Sequence, residues 1–139
     1  MTPDSHGFST GAVITLGTEV PLANIAAHEN GPLTRWLMMS VLLDPSAPWH
    51  IALHEFNNVT PDHRSYCAPH YHRVHEMNLF FPTEGKSLVV DLQIDSEFSQ
   101  LVAPAAVFIP AGSLHAANVF SGSGILIAMV MEKAYEAFQ

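Results

Sequence analysis

The chain has 139 residues, of which 48% are hydrophobic and 13% are charged, and its formal net charge is -8 at pH 7. This length fits one ordinary domain with a buried core, and the composition is unlike that of a disordered chain. Lys and Arg number five in all, which argues against the clustered cations that nucleic-acid or anionic-membrane binding requires. We therefore expect neither a nucleic-acid nor a membrane partner.

Targeting and redox signals are equally sparse. No apolar stretch approaches the roughly 20 residues that cross a bilayer, and the first residues lack the basic and apolar parts of a signal peptide. The single cysteine, Cys67, excludes an internal disulfide framework. These features favour a cytoplasmic protein.

Short runs of β-type residues, separated by turn residues, fill most of the sequence. Their near-regular spacing favours an antiparallel sandwich or a small barrel. One short helix is expected over Glu132–Phe138, and Pro21–Leu33 is either a helical turn or a loop. The absence of repeats and low-complexity linkers predicts a single domain over residues 1–139. The predicted strands are Ala12–Leu16, Trp36–Leu43, Trp49–Phe56, Glu76–Phe81, Ser87–Ile94, Ala105–Ile109, His115–Phe120 and Ile125–Met131.

Two groups of residues indicate a metal site. The run from His70 to Glu76 contains His70, His72 and Glu76, and His115 follows about forty residues later. Imidazole and carboxylate groups are the ligands of divalent transition metals. Because side chains at i and i+2 share one face of a strand, His70 and His72 can face the same point. The pattern predicts a metal held within a β-structure.

The motifs His70-x-His72-x-x-x-Glu76 and Pro110-x-Gly112-x-x-His115 resemble the two signature motifs of the cupin superfamily. The resemblance covers residues of about 69–130. It implies a double-stranded β-helix, a jelly-roll-like barrel, with a metal in the barrel mouth. By motif matching, the metal ligands would be His70, His72, Glu76 and His115.

The resemblance also implies the identity of the metal and a partner. Iron is often the metal of this superfamily, with Mn²⁺, Ni²⁺, Zn²⁺ or Cu²⁺ in other members, and imidazole suits most of these. Small members commonly form homodimers, so a homodimer is expected here.

Several residues outside the ligand set are candidates for catalysis. His50 and His54 share one face of a predicted strand, where they would serve as acid–base groups or form a face exposed to solvent or to a dimer partner. Tyr71 could donate a hydrogen bond to the substrate or act as a base. Cys67 is either a reactive thiol or a small buried hydrophobic residue.

Three further residues near the first motif have open roles. His75 should point away from the ligands by strand alternation, as a solvent-facing group or one that tunes a ligand, although an alternative ligand role stays open. Arg64 and Arg73 could bind an acidic substrate, or be solvated.

The sequence supports three functions. The first is a metal-dependent enzyme that acts on a small organic molecule, most simply by Fe(II) dioxygenase chemistry. The second is a redox-neutral lyase, isomerase or decarboxylase at the same site. The third is a binding module without turnover, since a fold alone does not define a function.

Overall fold

The computed structural model describes residues 11–63, 65–133 and 135–139, and its regular structure is almost entirely β-strand. The all-β prediction is confirmed. One short 3-10 turn, Leu22–Asn24, lies in the stretch that the sequence left open. The strands are β1 (Thr18–Glu19), β2 (Thr34–Met39), β3 (His50–Val59), β4 (Glu76–Pro82), β5 (Leu88–Ile94), β6 (Glu97–Val102), β7 (Ala105–Ile109) and β8 (His115–Val130).

Strand β8 is the centre of the antiparallel sheet. Its second half, from Gly122 to Val130, lies between β3 and β4, and its first half pairs with β5. The order β1-β2-β3-β8-β4-β7 follows from these pairings, with β6 added beside β5. Side chains of β3, β4, β5 and β8 join one apolar core, so the sheet folds around a common interior.

Alternation along β3 and β4 determines which side chains enter this interior. In β4, Glu76, Asn78 and Phe80 are buried while their neighbours are more exposed, as the strand period predicts. In β3 the same period buries His50 and His54. Each strand therefore contributes polar side chains near its start and a large aromatic side chain further along.

The two strands predicted over His115–Phe120 and Ile125–Met131 form one continuous strand. The residues between them, Ser121 to Gly124, lack the turn that their composition favours. A Cβ added at Gly122, where φ is +105°, would lie 1.9 Å from Ser87 O. Glycine therefore permits β5 to approach β8 closely at a register shift.

Three other predictions of secondary structure differ from the structure. Ala12–Leu16 is irregular, and the first strand is the two-residue β1. Strand β6 was not predicted. It pairs with β5, and five of its six residues are exposed, so its sequence lacks the alternation of buried and exposed residues that indicates a strand. The helix expected over Glu132–Phe138 is contradicted by the described residues, which are irregular.

The stretch Tyr135–Gln139, here called the tail segment, pairs with the rest of the molecule instead. Tyr71 and Phe138 exchange two backbone hydrogen bonds, of 2.8 and 2.9 Å. Their rings stack with centroids 5.3 Å apart. These contacts outweigh the local helix propensity and bring Tyr135 and Glu136 to the barrel mouth.

No helix within the described ranges has the length and apolar character needed to cross a membrane. One chain is described, so the expected homodimer stays a prediction.

Candidate metal centre

A short antiparallel bridge brings the two histidine motifs together. His70 and His115 exchange backbone hydrogen bonds of 3.0 and 2.7 Å, and their ring centroids lie 4.5 Å apart. The bridge is isolated, so His70 and His72 lie on an extended segment and not on the regular strand that was expected. The Gly112 N–H donates to His72 O at 2.7 Å, and the φ of +84° at Gly112 forms the predicted sharp turn before His115.

Backbone carbonyls orient the three imidazoles. In each ring Nδ1 faces a carbonyl oxygen and donates to it, which leaves Nε2 as the atom with a free lone pair. The ligand atoms of the three rings lie within 4.8 Å of one another. Metal-bound histidines typically show this pattern, in which the ring nitrogen that does not bind the metal donates a hydrogen bond to a backbone carbonyl. The Nδ1 partners are Ala68 O for His70 at 2.8 Å, Glu136 O for His72 at 2.5 Å and Ser113 O for His115 at 3.0 Å.

Glu76 enters the same group from the first residue of β4. Its Oε1 lies 3.1 Å from His72 Nε2, and its Oε2 lies 3.5 Å from His115 Nε2. Asn78 Nδ2 donates to Oε2 at 2.7 Å and fixes the carboxylate. The structure thus brings together all four predicted ligands.

The four residues fit a divalent cation. Among the described residues, His72 Nε2 and His115 Nε2 are buried without a hydrogen-bond partner. Lone pairs that face a carboxylate need a cation or a proton between them, and buried polar atoms without a partner are costly. A metal ion would satisfy the two nitrogens and the carboxylate together.

Electrostatics at the site keep the carboxylate charged. Burial works to raise the pKa of Glu76, but its contacts with His115 and His72 hold that pKa below the usual range. Burial lowers the pKa of His70 to about 4, so its imidazole is neutral at pH 7. Burial also works to lower the pKa of His72, yet Glu76 and the Glu136 carbonyl raise it overall. Protons and a metal therefore compete for His72.

A cavity of about 50 Å³ is lined by His70, Glu76 and His115, and β2 and β3 form one of its walls. His50 and His54 line it and are 4% and 7% exposed, so this strand face is turned neither to solvent nor to a partner. Burial, and then the charge of Arg35, lower the pKa of His50 to about 4 and that of His54 to about 3. Both are neutral bases beside the ligand set.

Tyr71, the third candidate for catalysis, lies elsewhere. Its ring stacks on Phe138, and the cavity is lined by Tyr135 instead. The Tyr135 hydroxyl lies 3.3 Å from His70 Nε2, and burial raises the pKa of this phenol, so it stays protonated. No pattern in the sequence indicates Tyr135, because its position depends on how the tail segment docks.

Two other residues near the first motif, His75 and Arg73, do not line the cavity. His75 is exposed, and its Nδ1 accepts a hydrogen bond from the Ala111 N–H at 3.0 Å. The Arg73 guanidinium lies 4.2 Å from the centre of the Phe138 ring. Arg64 is outside the described residues.

His28 and Cys67 form a second group beside the ligand set. Cys67 Sγ lies 3.3 Å from His28 Nε2, and both residues group with His70. Burial raises the pKa of the Cys67 thiol to about 12, so the thiol is protonated and donates to the imidazole. This favours the small buried residue over the reactive thiol. Both side chains also line an open outer groove of about 870 Å³. His28 is the one histidine among the residues that line this groove, so it does not bring several imidazoles together as the cavity does.

Comparison with known proteins identifies the fold. No protein-family model matches the chain, and neither does any curated protein. An RmlC-like cupin from Shewanella frigidimarina is 18% identical, with a TM-score of 0.53 over 88% of this chain and 86% of that chain. Hydroxypropylphosphonic acid epoxidase from S. wedmorenis is 13% identical, with a TM-score of 0.57 over 93% of this chain and 64% of that chain.

A third solved structure is an enzyme with Mn(II) centres, the oxalate decarboxylase of Bacillus subtilis. It is 15% identical, with a TM-score of 0.53 over 85% of this chain and 30% of that chain. The chain thus spans less than two thirds of the length of the epoxidase and of the decarboxylase. These similarities establish the architecture, and they agree with the two histidine motifs: the chain has the fold of the cupin superfamily.

Proposed function

We propose that this protein is a metal-dependent enzyme that acts on a small organic molecule, with Fe(II) dioxygenase chemistry as its reaction class. The observation that carries the proposal is the convergence of three oriented imidazoles and one buried carboxylate. Nitrogen and oxygen donors of this kind suit iron, and also Mn²⁺, Ni²⁺, Zn²⁺ or Cu²⁺. When bound, iron would supply redox chemistry with O₂ and a Lewis acid for the substrate.

The chain's own residues would orient the reactants and control protons. The carbonyls of Ala68, Ser113 and Glu136 fix the imidazoles, and the small cavity excludes bulk water. The Tyr135 hydroxyl keeps its proton and can donate a hydrogen bond beside His70. A dioxygenase whose substrate supplies all four electrons for O₂ places both oxygen atoms in its product and needs no external reductant.

A redox-neutral lyase, isomerase or decarboxylase is the second candidate. The observation that favours it is the pair His50 and His54, whose buried Nδ1 atoms have no hydrogen-bond partner among the described residues. His50 Nε2 faces the Arg35 guanidinium at 3.4 Å and therefore accepts, which places the proton of neutral His50 on Nδ1. Neutral His50 can thus donate a hydrogen bond from Nδ1 to a substrate in the cavity, and neutral His54 has one unprotonated ring nitrogen that can accept a proton from it.

The first experiment measures the metal content of the purified protein and of a His70→Ala variant by elemental analysis. We expect near-stoichiometric metal in the wild type and a loss of at least tenfold in the variant. His75→Ala is the matched control, because this histidine lies in the same motif but faces solvent. Equal metal content in wild type and His70→Ala would overturn the ligand assignment.

The second experiment separates the two reaction classes. Protein loaded anaerobically with Fe²⁺ is mixed with small acids, thiols and diketones, and O₂ uptake is recorded without added reductant. Uptake that depends on one compound and disappears in His72→Ala supports the dioxygenase. Turnover without O₂, with Zn²⁺ or Mn²⁺ bound, would overturn it in favour of the redox-neutral enzyme.

A further inference from the structure

One positive charge is buried in the wall of the cavity. Arg35, from strand β2, is 4% exposed and lies opposite His54 of β3. Its side chain lines the same cavity as Glu76, His50 and Tyr135. Because the predicted strand begins at Trp36, no pattern in the sequence indicates that Arg35 lies at the site.

This guanidinium lacks a counter-ion within the part of the chain that the structure describes. Neither of the two ion pairs found there involves Arg35. The Arg35 Nε is buried without a hydrogen-bond partner. Among the described residues, the hydrogen bond found for the guanidinium joins its terminal nitrogen Nη2 to His50 Nε2 at 3.4 Å. A buried arginine stays protonated, so the folded protein carries a desolvated and unpaired charge, which is energetically costly.

The neighbouring groups do not neutralise this charge. His50 and His54 are neutral. Glu76 is the carboxylate of the cavity wall, and it is held by Asn78 and the two histidines. With a divalent metal bound, the positive charges of the metal and Arg35 would exceed the single negative charge of Glu76. The cavity therefore favours an anionic occupant.

We propose that Arg35 binds the carboxylate of the substrate, so that the enzyme acts on a small carboxylic acid. The planar guanidinium can donate two parallel hydrogen bonds to one carboxylate. A carboxylate bound in this way would give the buried Arg35 Nε the hydrogen-bond partner that it lacks. The cavity of about 50 Å³ limits the acid to a few heavy atoms. This inference rests on the proposed metal-dependent function, because it assigns the substrate of that same site.

The test uses defined probes, with Zn²⁺ as a redox-inert metal. Acetate, glycolate and pyruvate are titrated into Zn²⁺-loaded protein by calorimetry, beside acetamide and methylphosphonate. We expect at least one carboxylate to bind at least tenfold more tightly than the amide. We expect Arg35→Gln to lose at least tenfold of this affinity at unchanged zinc content, and Arg35→Lys to lose less. Arg73→Gln removes an exposed arginine and should bind like the wild type.

Several results would overturn the inference. Equal carboxylate affinity in wild type and Arg35→Gln would show that the anion binds elsewhere, for example to the metal alone. Equal binding of acetate and acetamide would show that charge is not recognised, and binding of methylphosphonate alone would assign another anion. Thermal unfolding checks that Arg35→Gln folds, and we expect it to be at least as stable as the wild type because an unpaired buried charge is removed.

Failure of the proposed function gives a different pattern. If the wild type holds no metal, the metal-dependent enzyme is overturned, yet carboxylate binding to the metal-free protein can still be lost in Arg35→Gln. That result would support the carboxylate site in a binding protein. If metal binds and carboxylates do not, the substrate class is wrong and the metal centre stands.

Discussion

The two ends of the barrel interior are built from the same strands but differ in chemistry. At the metal end, Glu76 of β4 and His50 of β3 face the cavity, whereas Phe80 and Phe56 of the same strands lie in the apolar core. Both sets of side chains are buried. The buried side-chain atoms without hydrogen-bond partners, among the described residues, all belong to the ligand set or the cavity wall.

This difference teaches that burial serves two purposes within one interior. At the apolar end, burial removes hydrocarbon from water and stabilises the fold. At the metal end, burial leaves polar atoms without hydrogen-bond partners, which destabilises the folded chain. A bound metal or ligand that interacts with these atoms would restore that stability. Variants at the two ends should therefore separate stability from metal binding.

The largest effect on stability is expected for Phe80→Ala. Phe80 is 1% exposed, and truncating a buried Phe leaves a cavity that costs about 3–5 kcal/mol in the free energy of unfolding. Urea unfolding of metal-free protein measures this loss. Variants that remain folded should bind Zn²⁺ with nearly the wild-type affinity, because the ligand set is untouched.

Glu76→Gln is the matched change at the other end of the same strand. Loss of the carboxylate charge should weaken Zn²⁺ binding at least tenfold, with a change in unfolding free energy below that of Phe80→Ala. Competition with a chelator measures the affinity. If Phe80→Ala weakened metal binding as much as Glu76→Gln, the two ends would not be separable.

A smaller effect concerns pH. In the unfolded chain His54 takes up a proton below its ordinary pKa near 6.5, whereas the folded chain keeps it neutral down to about pH 3. The unfolded state therefore binds more protons within this window, and stability falls as the pH falls through it. Between pH 7 and pH 5 this one group should cost about 2 kcal/mol.

The measurement compares urea unfolding of chelator-treated wild type and His54→Gln at pH 7 and pH 5. The glutamine variant should lose less stability over this interval, by the amount assigned to His54. His75→Gln removes an exposed histidine and should lose as much stability as the wild type. Parallel losses in all three proteins would contradict the buried neutral state of His54.

The smallest effect is expected for Tyr135→Phe. The change removes one hydroxyl that lies 3.3 Å from His70 Nε2 and keeps the ring that closes the cavity. We expect a loss of about 1 kcal/mol or less in unfolding free energy and an unchanged metal content. A loss of metal would mean that the hydroxyl, and not only the ring, belongs to the centre.

The sequence predicted the strand faces and the members of the ligand set better than it predicted the cavity wall. Period-two alternation predicts that Glu76, Asn78 and Phe80 share a face, because that rule depends only on local backbone geometry. It does not say at which end of the barrel a residue lies. The convergence of His72 and His115 was predicted from the family resemblance and not from spacing.

Arg35 and Tyr135 were missed for physical reasons. Arg35 precedes the first residue of the predicted strand, Trp36, and its lack of a counter-ion can be recognised only once β2 and β3 are paired. Tyr135 belongs to a stretch whose local propensity is helical, but whose conformation is determined by the bridge between Tyr71 and Phe138. Contacts distant in sequence decide both positions, and local patterns do not record them.

The hydrogen bond from His72 to the backbone carbonyl of Glu136 links the tail segment to the metal centre. Thermodynamic coupling is reciprocal, so docking of the tail segment and metal affinity would strengthen each other by the same factor. A side-chain substitution at Glu136 leaves this carbonyl in place, so the link does not depend on the identity of that side chain. The rate at which a protease cleaves the tail segment would then report how much of the centre is occupied.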